Sequence, residues 1–121
     1  MEMSEKLIGA WISLQYAGIE SYEGKKHAWV IPVLMNYLDS EPEKLWNAIL
    51  EILDTDSSEF ISNHLGSGPL EDLIVNHGND FIDRIEDSAS RSNAFRLALK
   101  NVWLDDDSSG LAVRIDSILK K

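Results

Sequence analysis

Three histidines, His27, His64 and His77, are the first residues of this 121-residue chain whose type could do chemistry. Imidazole titrates near neutral pH and ligates metals, so it suits both proton transfer and metal sites. His64 and His77 flank Glu71 and Asp72, a set that would serve a small hydrolase or a metal-dependent enzyme. The spacing argues against it, because no two ligands fall on adjacent turns of one helix. His77 precedes Gly78, where an imidazole can serve the last carbonyls of a helix that the glycine ends. Gly66-Ser67-Gly68-Pro69 opens a helix and raises phosphate binding. It lacks the Lys-Ser/Thr ending of a phosphate loop, and Glu71 and Asp72 would repel an anion there. No serine lies in a G-x-S-x-G turn. Asp83, Glu86 and Asp87 share a helical face and could chelate a hard cation, but Arg84 and Arg91 lie close enough to partner them. The expectation is a chain with no catalytic residues, no metal and no cofactor.

Charge is the informative feature. The chain has 21 acids against 11 bases, for a net charge of −10. Residues 39–87 hold 13 of the acids and only two bases, Lys44 and Arg84. A chain of this sign is poorly suited to nucleic acid or to anionic membrane, which both demand dense positive charge. It has no cysteine, which removes thiol chemistry and disulfides. No apolar run approaches the roughly 20 residues of a membrane span, and the acids within Met1–Lys6 do not fit a secretory leader. A cytoplasmic location is expected. The bland account of the charge is solubility.

These residues are positioned by helices. Apolar residues recur at helical spacing almost throughout, and sustained period-two alternation is absent. Leu45, Trp46, Ile49, Leu50 and Leu53 form the clearest stripe and predict a helix over 41–54. Ser40 and Glu43 frame a capping box before it, with Pro42 in the first turn. Asp56 and Glu59 frame a second box before Phe60, Ile61 and Leu65. Gly66–Pro69 then ends one helix and starts another, which Gly78 closes in a left-handed conformation. Asn79 caps the next helix and Ser92 the one after, with Phe95, Ala98, Leu99, Val102 and Trp103 inward. Asp105–Gly110 is a turn, and Leu111 to Lys121 is the last helix. Upstream, a helix over 4–18 closes at Gly18, residues 19–26 form a turn, and Trp29–Leu38 is a helix. Trp29-Val30-Ile31 could instead be a short strand. All four tryptophans, Trp11, Trp29, Trp46 and Trp103, sit in apolar stripes and default to the core, whereas Tyr16, Tyr22 and Tyr37 are candidates for partial exposure. The expected fold is all-α, one compact domain over residues 1–121 of seven or eight short antiparallel helices.

Gly68-Pro69-Leu70-Glu71-Asp72-Leu73, then His77-Gly78, with Phe81-Ile82 and Ile85-Glu86 following, resembles a family of small bacterial helical proteins. That family is catalogued only as a domain of unknown function. Pro42-Glu43 with Trp46, and Phe95, Leu99 and Trp103, fit its pattern too, so the resemblance covers residues 29–103. It implies no activity and transfers no catalytic residue. By size, acidity and lack of catalytic pattern the chain also looks like immunity proteins of bacterial toxin systems, contact-dependent growth inhibition among them.

The expected function is therefore inhibitory protein–protein interaction: neutralising a basic partner, a cognate toxin such as a nuclease, by filling its cationic groove. Asp54, Asp56, Glu59, Glu71, Asp72, Asp80, Asp83 and Asp87 are the candidate partner-binding acids. The alternative is a helical scaffold or adaptor whose charge only keeps it soluble.

Overall fold

The computed structural model describes residues 3–104 and 110–121, without the Met3 side chain. The turn expected over Asp105–Gly110 and the start of the Met1–Lys6 segment lie outside the described residues, Gly110 excepted. All regular structure among the described residues is helical: α1 (Met3–Ala17), α2 (Tyr22–His27), α3 (Val30–Ser40), α4 (Pro42–Thr55), α5 (Glu59–Leu65), α6 (Glu71–Arg91), α7 (Asn93–Lys100) and α8 (Leu111–Leu119). A π-turn, Gly66–Leu70, joins α5 directly to α6. The all-α expectation holds, and no helix among the described residues is long and apolar enough to cross a membrane.

Contacts group these helices into two units, Met1–Ser57 and Ser58–Lys121. In the first, α1 packs against α2, α3 and α4, and α3 against α4. Its buried side chains include Leu7, Ile8, Trp11 and Leu14 of α1, Val30 and Leu34 of α3, and Leu45, Trp46, Ile49 and Ile52 of α4. Gly18 ends α1 at φ +86°, a left-handed conformation that glycine adopts without a Cβ penalty. The turn expected next contains a short helix, because Ser21 Oγ accepts the Gly24 N–H at 2.8 Å and caps α2. Trp29 has helical backbone angles at the start of α3, so the strand alternative fails.

Two of the expected capping boxes are replaced. Ser40 is the last residue of α3 and cannot leave helical geometry to cap α4; α4 starts at Pro42 behind Glu41, with no side-chain cap. The fixed φ of proline supplies the start instead. Asp56 is the C-cap of α4, and Ser58 caps α5 by accepting the Ile61 N–H at 3.2 Å. Ser92 does cap α7 as expected, accepting the Phe95 N–H at 3.1 Å.

In the second unit α5, the π-turn, α6 and α8 all pack on α7 or α6 around Ile61, Leu65, Leu70, Ile74, Ile85, Phe95 and Leu99. The expected break at Gly66–Pro69 is a distortion within a continuous run, set by Gly68 at φ −124°, ψ −107°. Gly78 is not left-handed and Asn79 caps nothing: α6 passes through both, bent at His77 (φ −139°, ψ 19°). Gly78 has a packing role, since a methyl there would stand 2.6 Å from Leu111 Cδ1 of α8. Gly66 is tighter still, because a methyl would overlap the Ala98 carbonyl oxygen of α7. Beside it, Asn101 Nδ2 donates to Asn63 Oδ1 at 2.8 Å and to the Leu97 carbonyl at 2.9 Å. The last carbonyls of α8 are taken by Arg96, whose Nη2 donates to Leu119 O at 2.6 Å, a cation at the negative helix end.

Candidate partner-binding surface

Trp11 and Trp46 are buried as expected, but Trp29 is 39% exposed and Trp103 is 72% exposed. Helical spacing placed Trp103 inward only if α7 continued to it, and α7 ends at Lys100. Tyr16 and Tyr22 are exposed and Tyr37 is half-buried, in line with expectation.

The eight candidate acids fall into distinct situations. Asp54 and Asp56 end α4 in the first unit. Asp54 is exposed, while Asp56 accepts the Tyr16 hydroxyl at 2.8 Å and ties the end of α4 to the end of α1. The other six belong to the second unit. Asp80, Asp83 and Asp87 occupy one exposed face of α6 at i, i+3 and i+7. Asp83 meets Arg114 Nη2 at 3.0 Å, and Asp87 meets Arg91 Nε at 3.2 Å. Glu59 opens α5, exposed, and makes no ion pair among the described residues. The same holds for Asp54 and Asp80.

Glu71 and Asp72 start α6. Glu71 Oε1 accepts the backbone N–H of Trp103 at 2.7 Å, fastening the segment after α7 to the first turn of α6. Loss of water around Asp72, and then the charge of Glu71, raise its carboxyl above the ordinary value.

Glu86, outside the expected set, is the centre of the most connected charge cluster. It receives Arg114 Nη2 at 2.8 Å and the Lys121 ammonium, and these two hydrogen bonds, that of Lys121 first, lower its carboxyl below the usual range. The same bond to Glu86, and then that to Asp83, raise Arg114. These partners are 28 and 35 residues away, and only the packing of α8 on α6 brings them together. Glu86 and Lys121, with Asp83, Asp87, Asn93 and Arg96, line an open cleft of about 630 Å³.

Two of the groups weighed for catalysis make hydrogen bonds of their own. His64 Nδ1 donates to the Phe60 carbonyl at 2.8 Å, with its ring 4.2 Å from that of Phe60. Glu71 is committed to Trp103, and His77 sits in the bend of α6. Among the described residues no group of three or more His, Asp or Glu side chains could hold a metal ion.

With this geometry in view, comparison with known proteins yields one assignment. A family of unknown function, DUF6869, matches residues 17–121. The chain belongs to that family. The match spans the segment around Gly68–Leu73 and His77-Gly78 and extends beyond it on both sides. In this structure those family-like residues shape the π-turn, the Glu71–Trp103 tie and the contact under Leu111. No curated protein matches the chain, and no solved structure does.

Proposed function

We propose that this DUF6869 protein is an inhibitory binding protein acting in the cytoplasm, an immunity protein that neutralises a cognate toxin by presenting acids to its cationic groove. The observation that carries this is the state of Asp54, Glu59 and Asp80: exposed carboxylates with no ion pair among the described residues. Such groups keep their field for an incoming cation, and they speed and orient encounter more than they add affinity. No catalytic role is needed for occlusion.

The test is co-expression with the product of the neighbouring upstream gene, scored by growth and by co-purification. Rescue of growth together with a complex is the expected result. Asp54→Lys combined with Asp80→Lys should then abolish rescue, and the association rate should fall steeply with salt. A scaffold or adaptor is the second possibility, favoured by the engagement of Asp56, Glu71, Asp83 and Asp87 within their own units. An adaptor would keep its partner after the double reversal.

A further inference from the structure

We infer that a cleft in the first unit, between α1 and the junction of α2 with α3, is a binding site for a planar aromatic carboxylate. Glu5, Lys6, Gly9, Ser13, His27 and Trp29 are among the residues that line it, around about 550 Å³, a volume suited to a small molecule. None of them takes part in the partner-binding surface, so the two readings stand or fall separately.

Gly9 is out of place. Glycine is a poor residue for a helix interior, and Gly9 lies in the middle of the 15-residue α1. Other helical glycines answer to a neighbour: a methyl on Gly24 would overlap the Gly18 carbonyl oxygen, one on Gly66 that of Ala98, and one on Gly78 would press on Leu111. A methyl on Gly9 would meet nothing among the described residues within 4 Å, and its φ is not positive. The fold gives no reason for the missing side chain, and its absence keeps the cleft open. Trp29 is the second observation. It is 39% exposed, and its indole makes no hydrogen bond or ring contact among the described residues. Its support is fixed: the Ala28 N–H donates to the Lys25 carbonyl at 3.4 Å, the Ile31 N–H to that of Ala28 at 3.1 Å, and Val30 beside it is fully buried. A ring presented from a fixed support lowers the ordering cost of stacking on it.

The local charge selects an anion. Residues 6–19 and 24–38, which supply all of the lining except Glu5, hold three lysines and no acid in a chain of net charge −10. Lys26 is paired with Glu23 at 3.0 Å, whereas Lys6 and Lys25 make no ion pair among the described residues. Within the cleft the Lys6 ammonium, the His27 ring and the Ser13 hydroxyl make no hydrogen bond among the described residues, so each can serve a carboxylate. One unpaired ammonium in the lining balances one negative charge. A phosphate carrying two would meet Glu5 and the surplus charge of the whole chain. An aliphatic acid would leave the indole face unused, whereas a flat ring can stack on it in the space that Gly9 keeps clear.

The test uses the full chain with naphthoate as the probe, naphthamide as the uncharged control and cyclohexanecarboxylate as the aliphatic one. Indole N–H resonances are followed by NMR, that of Trp29 being assigned by its loss in Trp29→Leu. Naphthoate at millimolar concentration should shift the Trp29 indole and the Gly9 and Ser13 amides, and both controls should bind about tenfold more weakly or not at all. Gly9→Leu fills the open space with a better helix former. It should keep or raise the thermal midpoint and yet weaken naphthoate binding about tenfold, and Lys6→Gln should weaken it about fivefold. Equal affinity for wild type and Gly9→Leu would overturn the inference, as would naphthamide binding as tightly as naphthoate, shifts confined to residues outside the cleft, or no response to naphthoate. A dimer of the free chain that Gly9→Leu converts to monomer would overturn it too, by assigning the gap at Gly9 to a second copy. None of these outcomes bears on growth rescue through the acidic surface.

Discussion

Replacing Gly66 by alanine should cost the second unit more than any other single methyl. The new Cβ would overlap the Ala98 carbonyl oxygen and stand 2.7 Å from the Ala98 carbonyl carbon and 2.9 Å from Asn101 Cβ. Carbon atoms pack at about 3.5–4.0 Å, so α7 must retreat by about 1 Å. Two of the opposing atoms are backbone, and backbone cannot rotate away as a side-chain tip can. Overpacking of this kind costs about 2–3 kcal/mol. Moving Asn101 also breaks its bond to Asn63, at about 1 kcal/mol. Alanine returns about 1 kcal/mol by restricting the unfolded chain. The net loss is about 2–3 kcal/mol, which at about 1.5 kcal/mol per molar lowers a urea midpoint by about 1.3–2 M. Gly78→Ala is the matched control. Its methyl would press on Leu111 Cδ1 at 2.6 Å and Cδ2 at 3.2 Å, the far end of a flexible side chain. Gly78→Ala should therefore fall within about 1 kcal/mol of wild type once the helix gain is included. Equal midpoints for the two variants would refute the assignment of Gly66 as the point of closest backbone approach.

Two further outcomes follow from the charge and polarity of the same unit. Glu86 has a depressed carboxyl pKa, so its stabilising contribution is present above its ordinary 4.5 and is lost as pH falls through the lower folded value. Glu86→Gln should thus lower the urea midpoint at neutral pH, and the gap to wild type should close in acid; a gap of constant size would contradict the network with Lys121 and Arg114. Asp72 works in the opposite sense: its raised pKa makes the ionised form a liability that builds as pH rises from the ordinary 3.8 to the folded value and stays constant above it. Ser62 Oγ is buried with no hydrogen-bond partner among the described residues. Ser62→Ala should therefore be neutral or stabilising by about 1 kcal/mol in thermal or urea unfolding, and a comparable loss of stability would reveal a hidden partner.

The legibility of the fold followed the range of the interaction concerned. Signals complete within a single helix and its ends could be read directly: Gly18 after α1, Ser92 before α7, the stripe of α4. Those that needed knowledge of a neighbouring element misled. Gly78 looks like a helix terminator in sequence because the close approach of Leu111, 33 residues on, leaves no local trace. Ser40 resembles a cap because nothing local says that α3 runs on to it. Trp103 was placed in the core by a periodicity that α7 abandons at Lys100. The acids were easily counted, yet which of them are engaged depended on where α8 delivers Arg114 and Lys121.

The π-turn at Gly66–Leu70 has a consequence for how such a surface can change. Each residue added to or removed from a helix rotates everything beyond it by about 100°. A one-residue deletion in Gly-Ser-Gly-Pro would swing Asp80, Asp83 and Asp87 through that angle and turn Phe81, Ile82 and Ile85 toward water. The turn is thus the phase reference of the acidic face. Substitutions among the acids would tune the strength of the field, while the length of this short segment decides where it points.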